Sequence, residues 1–204
     1  MARPLLRPRL HPILSLSRPQ RQRGTTLVEV LVTLIILAFG LLGIAAFQAK
    51  AQVGSIEAYQ RAQAVVLLED MQARMLGNSR FIEQYLTTSP LGTANTEYST
   101  CGGLAGALRD KCEWSLALQG AAVVAGNSKL GAMTGARGCI SELQQRNPLD
   151  GVCQSGVYLV TLAWQGMHPT IAPAASCGRD AYGADTNRRA ISVRVSLGVP
   201  ECKK

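Results

Sequence analysis

Acidic side chains are absent from the first 28 residues of this 204-residue chain, whereas six arginines (Arg3, Arg7, Arg9, Arg18, Arg21 and Arg23) fall within the first 24. The formal net charge of +8 therefore has a local origin. Beyond residue 24 only 15 bases face 13 acids. That near balance argues against a basic, nucleic-acid-binding surface on the folded part. Histidine is almost missing as well. His168 is the sole histidine after residue 24, and a proline follows it. Any Ser-His-Asp or Cys-His arrangement would have to use it, and a solvated loop position is the simpler expectation. The chain holds no G-x-S-x-G, no H-E-x-x-H, no P-loop and no G-x-G-x-x-G after a strand. No cysteine stands in a C-x-x-C pair, which disfavours zinc and thioredoxin-like chemistry. Asp180 and Asp185 share a loop but lack the ligand pattern of a calcium loop. Together these absences argue against an enzyme and against a bound metal or cofactor.

Proline is missing between Gln20 and Pro90, so nothing interrupts a long helix there. The stretch opens with 23 residues, Thr25 to Phe47, that carry one charge, Glu29. As a helix they span about 34 Å, enough for a hydrocarbon core of about 30 Å. The arginines in front mark a cytoplasmic flank. A secretory signal peptide fits poorly, because its apolar region is about 7–15 residues and the loosely suitable "AKA" at 49–51 lies beyond a run that is too long. A plain anchor fits better but has no use for Glu29, since a carboxylate in the bilayer costs a few kcal/mol unless it has a partner or a function. Helical spacing continues through Val53, Ile56, Tyr59, Val66, Met71 and Met75. Gly40, Gly43 and Gly54 each weaken a helix by about 1 kcal/mol relative to alanine, and Gly77-Asn78 is a stop signal. One helix from about Thr26 to Leu76 is expected, the alternative being a break near Gly54.

Gly24 followed by Thr25-Thr26-Leu27-Val28-Glu29 and a long apolar stretch resembles the N-terminus of type IV prepilins. The resemblance implies cleavage between Gly24 and Thr25 by a prepilin peptidase, N-methylation of Thr25, and a docking role in assembly for Glu29. The family usually has Phe where this chain has Thr25. Within that family, "VEVLVTLIILAFGLLGIAAFQAKAQ" with its GLLG at 40–43, and "VYLVTLAWQG" with its AWQG at 163–166, are similar to the PilV group of minor pilins. That similarity implies assembly with other minor pilins and a major pilin. It also implies residence in the bacterial inner membrane with a periplasmic C-terminal domain, and later display on the pilus at the cell surface. Three segments follow: a basic leader (1–24), a transmembrane and filament-core helix (25–47), and a periplasmic globular domain (48–204). Two readings stand beside this one. A minor pseudopilin of a type II secretion system would share the leader and helix. A membrane-anchored adhesin or binding module would keep its N-terminus uncut.

Strand signals come late. "EWSLALQ" (113–119) alternates Trp114, Leu116 and Leu118 with more polar residues. "VYLVTLAW" is apolar on both faces, which suits a central strand. "AISVRVSLGV" (190–199) alternates Ile191, Val193, Val195 and Leu197 with Ser192, Arg194 and Ser196, leaving one face wet. A long helix followed by three strands gives an α+β unit, a small antiparallel sheet laid on a helix, as in pilins. Trp114 and Trp164 are expected in the core. Arg188-Arg189 reads as a solvated strand edge rather than a contact patch. Residues 126–138 and 167–189 are loops by composition. The six cysteines, Cys101, Cys112, Cys139, Cys153, Cys177 and Cys202, all follow the apolar run, which suggests three disulfides in an oxidising compartment. Six cysteines allow 15 connectivities. Nearest-neighbour pairing gives Cys101–Cys112, Cys139–Cys153 and Cys177–Cys202.

Overall fold

The structure, a computed structural model, describes residues 24–93, 95–120, 124–125, 128–129, 133–199 and 202–203. The arginine-rich stretch 1–23, and parts of the expected loop 126–138, lie outside the described residues. The chain divides into two compact units, Met1–Phe47 and Gln48–Lys204.

Helix α1 (Leu27–Gly77) is unbroken over 51 residues. The glycines at 40, 43 and 54 therefore lower its stability without ending it. It stops where expected, with the Asn78 amide bonded to the Arg74 carbonyl at 3.0 Å. In the first unit every side chain from Leu27 to Phe47 is exposed, and an 18-residue window of the helix reaches a mean hydropathy of 2.8. The helix is long and apolar enough to cross a membrane.

In the second unit α1 buries Gln60, Ala64, Leu68, Met71 and Met75, steps of four, four, three and four residues that define one face. This corrects the stripe read from the sequence. Met71 and Met75 are inside, but Ile56, Tyr59 and Val66 are exposed. The small residue Ala64 and the polar Gln60 are buried instead, so the buried face is rotated from the one that bulk and hydropathy suggested.

A 3-10 helix (Ser79–Tyr85) follows α1 and leads to a two-residue strand, β1 (Leu91–Gly92). Next comes helix α2 (Gly106–Leu118), where the sequence suggested a strand over 113–119. Over a few residues the two periods are hard to separate, because i and i+4 share a face in both. Here Ala107, Trp114, Ser115 and Leu118 are buried on one helical face. The preceding Ala-Leu-Arg-Asp-Lys are mostly good helix formers. Two further short strands, β2 (Val124–Ala125) and β3 (Ser128–Lys129), pair with each other. The remaining strands are β4 (Arg137–Gln144), β5 (Gly156–Gln165) and β6 (Arg188–Leu197). The main sheet is antiparallel with order β1-β4-β5-β6. β5 is central, as its two apolar faces required. Strand β4 was not expected. Its "RGCISELQ" offers little alternation, and pairing with β5 holds it extended.

Tyr158, Val160, Leu162 and Trp164 of β5, Ile140 of β4, and Val195 and Leu197 of β6 form one core with α1 and α2. Trp114 is fully buried, and its indole N–H donates to the Leu67 carbonyl at 2.8 Å, joining α2 to α1. The fold is thus α+β: a long N-terminal helix packed on a small antiparallel sheet, as expected of a pilin-like chain.

All six cysteines are oxidised, but only Cys101–Cys112 follows the nearest-neighbour pairing. The other two bonds cross: Cys139–Cys177 and Cys153–Cys202. Sheet register explains both corrections. Gly156 of β5 lies opposite Leu197 of β6, so the turn before β5 and the tail after β6 meet at one end of the sheet. Cys153 and Cys202 meet there. Cys139 faces Thr161 on the neighbouring strand, and the β5–β6 connection folds back over that face to deliver Cys177.

Polar side chains tie the end of α1 to α2. Arg74 binds both carboxylate oxygens of Asp70 (3.1 and 3.0 Å), Asp110 (3.2 Å) and Glu113 (2.7 Å). The buried Tyr85 hydroxyl donates to Asp110. The hydrogen bond from Arg74, then that from Arg109, holds the Glu113 carboxyl below its ordinary value of 4.5. Arg188 does the same for Asp185, ordinarily 3.8. Burial, then the Asp110 bond, pushes the Tyr85 hydroxyl up to about 12. Depressed carboxyls stabilise the fold above their unfolded pKa, and that stability is lost as pH falls through the folded values. A raised phenol stabilises it below its unfolded pKa, and that stability is lost as pH rises through the folded value. The melting temperature of the chain in detergent is therefore expected to drop below pH 4.5 and again between pH 10 and about 12. Arg74→Met should lie below the wild type at pH 7 and converge with it in acid. A difference between the two that stays constant with pH would count against this assignment.

Candidate functional site

Gly24, Thr25 and Thr26 are exposed and precede the helix. A side chain added at Gly24 would meet nothing within 4 Å. Among the described residues nothing packs against this position. Thr26 begins α1 as a cap. Its hydroxyl accepts the Glu29 amide at 3.2 Å, and its carbonyl accepts the Val30 amide at 3.2 Å. Thr26-Leu27-Val28-Glu29 has the spacing of a capping box, in which a glutamate three residues after the cap stabilises the helix start. Its carboxylate is also favourable in the first turn of the helix. The sequence reading missed this role of Thr26, although the T-x-x-E spacing signals it. Farther along, the Thr33 hydroxyl donates to the Val30 carbonyl at 2.8 Å, so the polar group inside the apolar run is satisfied by its own backbone.

This geometry places a helix start, a carboxylate and a membrane-length apolar face in immediate succession, directly after an unencumbered glycine. A family model described as the prokaryotic N-terminal methylation motif matches residues 19–45. This chain carries that motif. No curated protein and no solved structure matches it. The methylation motif supports a pilin-like or pseudopilin-like protein and fits a membrane-anchored, structural one. The motif includes Gly24, Thr25 and Glu29, and its apolar part is the exposed first portion of α1.

The other residues singled out from the sequence gather at no catalytic centre. His168 is exposed in the β5–β6 connection. Trp114 and Trp164 are core residues, 0% and 3% exposed. Among the described residues, no three His, Cys, Asp or Glu side chains stand together as a metal site would require. Asp185 is engaged by Arg188 at 2.6 Å, while Asp180 takes the left-handed backbone conformation with φ of 59°.

Arg188 and Arg189 depart from the solvated edge expected of them. Arg188 is fully buried. Its guanidinium donates to both oxygens of Asp185 and to the carbonyls of Pro173, Ala175 and Cys177. Arg189 binds Glu57 of α1 at 3.0 Å and the His168 carbonyl at 2.7 Å. Both arginines organise the β5–β6 connection, because a loop with many free carbonyls needs donors. Local sequence gave no sign of this.

Proposed function

We propose that this chain is a minor pilin of a bacterial type IV pilus, made as a prepilin in the inner membrane with its second unit in the periplasm. Prepilin peptidase removes residues 1–24 and methylates Thr25. The mature chain then joins other minor pilins in a priming or tip complex with the major pilin. One observation carries this reading: the methylation motif runs without a break into a helix whose first twenty residues present almost only apolar side chains outward. The similarity to the PilV group at 40–43 and 163–166 supports the finer assignment.

Mass determination of the mature N-terminus tests the processing. The expected product begins at Thr25 and carries one added methyl group, and Gly24→Leu should accumulate as uncut precursor. An uncut wild-type chain would instead indicate an anchored binding module. Recovery in sheared pili, rather than with a secretion channel, separates the pilin from a minor pseudopilin of a type II system.

Glu29 is assigned to docking. Cleavage creates a positive amine at Thr25, four residues before Glu29 and just ahead of the helix start. In a bundle of apolar helices an incoming amine is costly unless paired, and low polarity strengthens its attraction to a carboxylate. Glu29→Leu and Glu29→Gln should shift the protein from the pilus fraction to the membrane fraction, with Glu29→Lys worse. Glutamine keeps the capping chemistry, so wild-type incorporation of Glu29→Gln, with loss only for leucine, would reduce Glu29 to a helix cap.

A further inference from the structure

The two edges of the main sheet are finished differently. On one side β1 covers only the start of β4, with two residues. Just beyond it Thr87 closes the next position, its amide and hydroxyl bonding Ile140. On the other side lies β6, ten residues long and paired with β5 in an uninterrupted register. Among the described residues no strand pairs with its outer edge. Sheet edges are commonly blunted by proline, bulges, shortness or several charges. Strand β6 has no proline and no bulge, and past its first two residues its only charge is Arg194.

A groove runs along this edge. Arg61, Val65, Leu68, Glu69 and Gln72 of α1 and Ile191, Ser192 and Val193 of β6 line a cavity of about 440 Å³. Its floor has an apolar part, Val65, Leu68, Ile191 and Val193, among polar side chains, and Val65 is 41% exposed. A strand added beside β6 would point alternate side chains over that floor and the others outward beside Ser192, Arg194 and Ser196.

We propose that the β6 edge and this groove receive an extended segment of another protein, which adds a fifth strand to the sheet. The segment carries apolar residues at alternate positions and an acidic residue beside Arg194. Charge selects this occupant. Arg61 and Arg194 are exposed and engage no carboxylate among the described residues, while Glu69 is the one acid on the rim. Charge also opposes a second copy of this chain. Antiparallel self-pairing centred near Arg194 would set two arginines at opposed or diagonal positions, which is destabilising. Backbone hydrogen bonds then supply affinity and the groove supplies selectivity, as in strand addition generally. This inference does not rest on the pilin reading.

The test uses the full chain in detergent and two capped nine-residue peptides that alternate valine with serine or threonine. One has a central glutamate and the other a central lysine. The glutamate peptide should slow hydrogen exchange at amides of residues 190–197. It should bind about tenfold tighter than the lysine peptide, since a cross-strand attraction and a like-charge repulsion are each worth up to roughly fivefold. Arg194→Glu should reverse the preference. Val65→Arg should abolish binding with the melting temperature unchanged. Absence of protection with either peptide at millimolar concentration, or a preference that survives Arg194→Glu, overturns the proposal. So does peptide-free protection that rises with protein concentration alongside a dimer in sedimentation, which would assign the edge to a second copy.

Discussion

Arg188→Ala is expected to lower the stability of the second unit by about 3–5 kcal/mol, because each of three carbonyls left without its donor costs about 1–3 kcal/mol. The guanidinium is fully enclosed, and each of its donor groups is used: Nε and Nη2 on Asp185, Nη1 on Ala175 and Cys177, and Nη2 also on Pro173. Alanine leaves three carbonyls without their donor and a void of arginine size. Asp185 loses less, since its side chain is partly exposed and can hydrate. At about 2–4 °C per kcal/mol for a domain of this size, the melting temperature should fall by about 6–20 °C. Lysine should restore only part of the loss, because one ammonium cannot match a planar fork. The Cys139–Cys177 bond still holds the loop in the variant, so exchange should accelerate in 167–176 more than at Cys177. Thermal melts and hydrogen exchange of the full chain in detergent check both statements. A loss below about 1 kcal/mol, the size of an ordinary surface contact, would mean that water replaces the guanidinium and that the latch is dispensable.

Gly138→Ala should be nearly as damaging, although it adds one methyl group. A Cβ at this position would lie 2.2 Å from Cη2 and Cζ3 of Trp114 and 2.8 Å from Leu118 Cδ1. No rotamer change of the new residue can relieve that, because Cβ is fixed by the strand. The indole must move, and its hydrogen bond to the Leu67 carbonyl is then at risk. Overpacking costs about 1–3 kcal/mol, and an indole N–H left buried without a partner about 1–3 more. Melting temperature and the near-ultraviolet signal of Trp114 should both change. Trp114→Phe in the same chain should make Gly138→Ala milder than it is alone, a coupling expected of residues in contact. Strictly additive effects of the two substitutions would show that the strain is taken up elsewhere.

Much of this fold is written in local chemistry. The apolar run, the lack of proline before Pro90 and the Gly77-Asn78 stop describe α1 to within a residue or so of Leu27–Gly77. Two apolar faces on 157–164 marked β5 as central. The N-terminal motif is legible for the same reason: Gly24, Thr25, Thr26 and Glu29 are near neighbours along the chain, and the capping spacing is itself a sequence pattern. The methylation motif is therefore readable without any tertiary information.

Other features required the fold. Trp114 and Leu118 satisfy helical and strand spacing alike, and packing against α1 and β4 resolved them as α2. Which face of α1 goes inward was decided by the packing of the second unit, which buries Ala64 and Gln60 and leaves Ile56, Tyr59 and Val66 outside. The sequence alone determined that the cysteines lie together beyond the apolar run. Only the register of β4, β5 and β6 decided that Cys139 meets Cys177 and Cys153 meets Cys202. Arg188 is the extreme case, a residue type that solvates well, placed inside because a long connection brings three carbonyls and a carboxylate to one point. Helix propensity, capping and hydropathy act over a few residues and can be read along the chain. Pairing, burial and charge compensation depend on which distant segments are brought within a few ångströms of one another, and that is set by the closing of the core.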